Sequence, residues 1–119
     1  MCGIGGIINT NNSKIDPNII ENIKDSLEHR GPDNSSIKYI SESNCFVHTR
    51  LSIIDLNDRS NQPFQSSDGR YTLVFNGEIY NYKEIRKDLE SIGISFNTES
   101  DTEVLLKGFI EHGEGILEK

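Results

Sequence analysis

Three glycines interrupt the first apolar run of this 119-residue chain, Gly3-Ile-Gly-Gly-Ile-Ile-Asn9, and they restrict the fold more than any other segment. Such a run suits a buried strand whose backbone another element approaches closely, since glycine puts no Cβ in the way. A helix is expected next. Asp16 is an N-cap, Pro17 takes the first helical position, and Ile19, Ile20, Ile23 and Leu27 recur at helical spacing until Gly31-Pro32. Ser36 to Ser41 and Cys45 to Ile54 read as strands, and Asp68-Gly69 marks a tight turn into a strand over Tyr71–Phe75. A helix from Tyr82 to Ile92 places Ile85, Leu89 and Ile92 on one face, with Gly93 past its end. Ile94–Phe96 reads as a short strand, and Ser100-Asp-Thr-Glu103 as a capping box for a helix that stops near Gly113. The order predicts an α+β domain, a largely antiparallel sheet packed against helices. Glu114 to Lys119 breaks off in mid-pattern without a cap, as expected of part of a larger domain.

Bulk properties exclude several classes of function. A formal net charge of −7 with no basic stripe argues against nucleic acid or an acidic membrane surface as partner. No apolar run approaches the ~18 residues of a membrane span, and the first residues lack the basic and apolar regions expected of a signal peptide. Two cysteines, Cys2 and Cys45, make no disulfide framework, and no cysteine–histidine spacing suggests a metal site. A reducing cytoplasm is the expected address.

Cys2 is the most reactive position the sequence offers. Removal of Met1 would leave one residue carrying both a thiol, reference pKa about 8.5, and a free α-amine, about 7.7–8.0: a nucleophile with its own general base. Five other residues complement a free amino acid. Arg50 can hold a carboxylate bidentately; Glu78 and Asp101 can receive an ammonium; the Asn76 amide beside the Gly77 N–H is a pair of oxyanion donors. Each also has an ordinary explanation. Arg50 would be a surface arginine, Asn76-Gly77 a type I′ hairpin turn between Tyr71–Phe75 and Glu78–Tyr82, and Asp101 a first-turn acid at a helix start. His29–Asp33 would be a basic helix end and a turn, and Cys45 a core residue.

Six segments in order resemble the N-terminal glutaminase domain of class II glutamine amidotransferases, which are N-terminal-nucleophile hydrolases. They are Met1-Cys-Gly-Ile4, His29-Arg-Gly-Pro-Asp33, Arg50-Leu-Ser-Ile-Ile-Asp55, Gln62-Pro63, Asn76-Gly-Glu-Ile-Tyr-Asn81 and Ser100-Asp-Thr-Glu103. Arg50–Asp55 and Asn76–Asn81 resemble the asparagine synthetase branch. The sugar-phosphate and phosphoribosyl-amine branches typically carry Trp or Tyr after the arginine, where this chain has Leu51.

The resemblance implies a fold, an α/β/β/α sandwich of antiparallel sheets, incomplete here at the C-terminal end. It implies L-glutamine as substrate, Cys2 as nucleophile, and Asn76 with Gly77 as oxyanion hole. Arg50, the backbone of Leu51, Ser52, Ile53 and Ile54, and Glu78 and Asp101 would bind the substrate. Residues 1–119 would be the N-terminal part of that domain, the synthetase domain being absent. No cofactor is expected in this segment; ATP and Mg2+ are implied for the absent domain, where the ammonia would amidate aspartate or a related carboxylate. A homodimer is implied for the full-length protein. The alternative, from another class, is a catalytically silent glutamine-binding or interaction module, or a truncated gene product.

Overall fold

The computed structural model describes residues 1–51 and 60–119. They fall into two compact units, one within Met1–Ser52, Asn61–Pro63 and Val74–Gly77, the other within Ile53–Ser60, Phe64–Leu73 and Glu78–Lys119. Among the described residues, three α-helices and two antiparallel sheets make an α+β arrangement.

In the first unit β1 (Gly3–Ile8), β2 (Asn34–Tyr39) and β3 (Asn44–Arg50) form an antiparallel sheet of order β1-β3-β2. Helix α1 (Pro17–Leu27) starts where the sequence places it: the Asp16 carboxylate accepts the Asn18 N–H at 2.9 Å and Pro17 follows. It runs into a 3-10 turn, Glu28–Arg30. Ile20 is buried, with Ile23 and Leu27 packed beside it against Ile15, Cys45 and Val47. Ile19, expected on the same stripe, is exposed.

The glycines of β1 explain this packing. A Cβ on Gly5 would fall 2.8 Å from the Ile23 side chain, and one on Gly3 would fall 2.7 Å from Thr49 Oγ1 and 3.1 Å from Leu27. The element that approaches the first strand is α1.

Residues alternate across the sheet with period two. Cys45, Val47 and Thr49 lie on the α1 side, so burial pushes the Cys45 thiol above its ordinary value. Phe46, His48 and Arg50 take the other side, where Ile4 and Ile8 of the edge strand β1 stay exposed. His48 is wholly buried. Burial drives its imidazole below the ordinary 6.5, the Arg50 charge adding to the shift and the Phe75 carbonyl opposing it.

In the second unit β4 (Phe64–Gln65) pairs with β5 (Thr72–Leu73) about a turn in which Gly69 has φ +72° and Asp68 accepts from Ser66 Oγ and Arg70 N–H. Helices α2 (Tyr82–Ser91) and α3 (Asp101–His112) bury Ile85, Leu89 and Val104 together with Ile116.

Four expectations are corrected. The strand predicted over Tyr71–Phe75 is only Thr72–Leu73. Asn76-Gly77 is no type I′ turn, because neither residue has the positive φ that turn requires. Ile94–Phe96 is not a strand: the Ile94 N–H closes α2 on the Leu89 carbonyl, and Ile94 and Phe96 pack on the helical core. Ile92 is exposed. After α3 a 3-10 helix over Gly113–Glu118 buries Ile116. The predicted strand Cys45–Ile54 is observed to Arg50, and its last residues lie outside the described ones.

The capping box forms only by half. Ser100 caps α3 by accepting the Thr102 N–H, but Glu103 turns away from Ser100. Its carboxylate, 1% exposed, accepts from Asn97 N–H, Thr98 N–H (2.7 Å) and Thr98 Oγ1 (2.6 Å), and pairs with Lys107 at 2.8 Å. Burial by itself would raise this carboxyl; those four partners outweigh it and hold the group below its ordinary 4.5. No helix of the described residues is long and apolar enough to cross a membrane.

Removing the Glu103 carboxylate takes the acceptor from the buried Thr98 N–H and hydroxyl and from the Asn97 N–H. Glu103→Ala should therefore lower unfolding free energy in urea by roughly 3 kcal/mol. Stability should also fall with pH in two stages. His48 is depressed in the native state, so its contribution is complete above about 6.5 and declines as pH falls through the native value. Glu103 behaves alike below about 4.5. His48→Gln should flatten the upper stage and Glu103→Gln the lower, as read from denaturation midpoints against pH.

Candidate active site

Register places Cys2. Gly3 pairs with Thr49, and the Gly3 N–H donates to Thr49 Oγ1 at 3.1 Å, which in turn donates to the Leu27 carbonyl at 2.9 Å. The residue before Gly3 therefore lies at the Arg50–Leu51 end of β3. There the Leu51 N–H donates to Cys2 Sγ at 3.3 Å, and the thiol faces the Leu51 carbonyl at 3.7 Å. Cys2 is half-buried and Met1, before it, is 74% exposed.

Arg50 ends β3 almost fully buried, its Nη1 donating to Asn61 Oδ1 at 2.6 Å. The sequence reading as a surface arginine is thus overturned. Two residues from His29–Asp33 hold its backbone: Pro32 bridges to Arg50, and the Asp33 N–H donates to the Arg50 carbonyl at 3.0 Å. Arg30 from the same segment donates through Nε to the Cys2 carbonyl at 3.3 Å. Asn76 and Gly77 are exposed in an irregular stretch after β5.

Cys2, Arg50, Leu51, Asn76 and Gly77 thus belong to one compact unit. Glu78 and Asp101 belong to the other, where the Ile79 N–H donates to Asp101 Oδ2 at 3.1 Å and so brings Asp101 beside Glu78 in space. Asp101 is buried in the first turn of α3, where the positive helix end favours a carboxylate; Glu78 is exposed. Ser52, Ile53 and Ile54 lie outside the described residues.

Sequence reasoning gave no role to Arg30, His48 or Gln62. His48 was signalled in one respect, since strand periodicity puts it on the face of Arg50, two residues on. Nothing local marks the reach of Arg30 to Cys2 or of Gln62 to Phe75, which are 28 and 13 residues away in sequence.

Comparison with known proteins gives these residues a setting. Residues 1–119 match the family model described as the glutamine amidotransferase domain. The chain is 40% identical over 117 residues to asparagine synthetase [glutamine-hydrolyzing] 1 of Bacillus subtilis, covering 96% of this chain and 18% of that protein. It is 36% identical over 119 residues to the asparagine synthetase [glutamine-hydrolyzing] of Brassica oleracea, covering 99% of the chain and 20% of the relative. A probable asparagine synthetase [glutamine-hydrolyzing] of Dictyostelium discoideum is 37% identical over 117 residues, covering 96% and 20%. The chain spans about a fifth of the length of these relatives. With its whole length matched by the family model and these relatives aligned over nearly all of it, this chain belongs to the glutamine amidotransferase domain family.

Proposed function

We propose that this chain is the glutamine-hydrolysing part of an asparagine-synthetase-like amidotransferase, releasing ammonia from L-glutamine through a thioester on Cys2. Family membership supplies glutamine as the substrate. The observation that carries the chemistry is the Leu51 N–H donating to Cys2 Sγ at 3.3 Å, one residue from a buried arginine.

The proposed cycle begins with loss of Met1, whose exposure leaves it open to an aminopeptidase. The freed α-amine, through a water, takes the thiol proton, and the sulfur attacks the side-chain carboxamide carbon. The tetrahedral oxyanion accepts hydrogen bonds from the Asn76 amide and the Gly77 N–H. Collapse breaks the C–N bond; the ammonium at the chain terminus returns its proton to the leaving nitrogen, which departs as ammonia. Water then attacks the γ-glutamyl thioester and releases glutamate, restoring the thiol. Arg50 receives the α-carboxylate, and Glu78 and Asp101 receive the α-ammonium; the backbone of Leu51, with that of Ser52, Ile53 and Ile54, lines the substrate. Arg30 braces Cys2 from behind through its carbonyl.

The same reading extends to architecture. The exposed Ile4 and Ile8, on the side of β1 away from α1, suit a sheet that takes a second sheet on that side, as in an α/β/β/α sandwich. ATP and Mg2+ would serve carboxylate activation in a synthetase domain outside residues 1–119. Hydrolysis of glutamine itself needs neither.

Glutaminase assay of the 119-residue chain tests the proposal. Cys2→Ala should abolish ammonia release, and intact mass should show the active species one methionine lighter than the encoded chain. Asn76→Ala should lower kcat roughly 10²–10³-fold while leaving the thermal midpoint unchanged, since Asn76 is exposed. Full turnover in either variant would remove the role given to that residue.

A further inference from the structure

The segment Val74–Gly77 lies outside the described strands, so among the described residues no sheet ladder satisfies the backbone of Phe75. One side chain does so instead. Gln62, almost fully buried, accepts the Phe75 N–H on Oε1 at 2.5 Å and donates from Nε2 to the Phe75 carbonyl at 3.2 Å. The pair is unambiguous, because an N–H can only donate and a carbonyl can only accept. His48, wholly buried on β3, donates from Nε2 to the same carbonyl at 3.3 Å. That bond fixes the imidazole tautomer and leaves Nδ1 without a partner among the described residues. Gln62 is itself moored to the sheet, since its carbonyl accepts from Ser36 Oγ of β2. The ring of Phe75 completes the arrangement. A Cβ on Gly77 would fall 2.7 Å from Phe75 Cζ, so Gly77 lies directly against that ring.

We propose that Gln62 and His48 are positioning residues that clamp the Phe75 peptide and thereby hold the Asn76 and Gly77 oxyanion donors in their working geometry. This rests on the glutaminase reading above. Two of the three sheet strands feed the clamp, β2 through Ser36 and Gln62, β3 through His48. The donors themselves are exposed, whereas the Gln62 and His48 side chains that hold the preceding peptide are buried, which suits a preformed oxyanion hole.

Gln62→Glu is the sharpest test. It keeps the size of the side chain and an acceptor for the Phe75 N–H, but turns a carboxylate oxygen toward the Phe75 carbonyl. Misplacing the donors by a fraction of an ångström should lower kcat roughly 10–10²-fold, with KM for glutamine within about threefold because Arg50, Glu78 and Asp101 are untouched. An aldehyde analogue of glutamine, whose hemithioacetal presents the same oxyanion, should lose affinity by a similar factor, while glutamate affinity stays constant. Amide hydrogen exchange should quicken at residues 75–77 and not in β1 or β3. His48→Gln, which keeps a donor near the Nε2 position, should lose less kcat than His48→Phe; this pair serves if Gln62→Glu fails to fold.

Unchanged kcat, or a rise in KM that accounts for the whole loss of kcat/KM, overturns the proposal. So does unchanged exchange at residues 75–77. A wild-type chain without turnover, combined with faster exchange in Gln62→Glu, would overturn the glutaminase reading and still support the clamp.

Discussion

The pairing of Gly3 with Thr49 is the contact on which the first unit depends. It depends on glycine in β1: a Cβ at position 3 would collide with Thr49 Oγ1 and crowd Leu27 of α1, and one at position 5 would collide with Ile23. The Thr49 hydroxyl links the two elements, accepting from the Gly3 amide and donating to the last turn of α1. A slip of one residue would turn every side chain of β1 to the opposite face and carry Cys2 away from the Leu51 amide. The helix that covers the sheet and the register that presents the sulfur are therefore one constraint. The two cysteines show what it achieves. Cys45, on the α1 face, has a thiol raised by burial and is inert core, whereas Cys2, beyond the end of the ladder, meets a backbone N–H.

Much of this was legible in the chain. The Asp16-Pro17 start of α1, the glycine-permitted approach, the Asp68-Gly69 turn and the Ser100 cap each rest on chemistry within a few residues, and each is present. The failures share a cause. Tyr71–Phe75 and Ile94–Phe96 have the composition of strands but mostly lack a strand beside them among the described residues, and pairing is a nonlocal condition that propensity cannot express. Asn76-Gly77 carries the strongest hairpin signal in the chain, yet its φ angles are not those of the turn. The Phe75 peptide before it is bound to side chains and not to a neighbouring strand. Among the site residues the types were readable and the supports were not. Nothing around Arg30 announces the Cys2 carbonyl, and nothing around Arg50 announces its burial or the hold of Pro32 and Asp33 on its backbone.

Both units meet the same difficulty, an irregular backbone stretch whose polar groups have no ladder to join, and each meets it with a buried side chain matched to the groups on offer. At residues 97 and 98 there are two N–H groups and a hydroxyl to satisfy. A carboxylate, which only accepts, is the right partner, and Glu103 supplies it with Lys107 balancing the charge. At Phe75 there is one N–H and one carbonyl, so the partner must accept and donate at once, and the neutral amide of Gln62 does both. Exchanging the two chemistries would fail in both places: a glutamine at 103 would turn a donor toward amides that already donate, and a glutamate at 62 would set an oxygen against an oxygen. The difference in side chain follows from the difference in backbone. An accurate site on an irregular loop depends as much on such matched buried groups as on the residues that would touch the substrate.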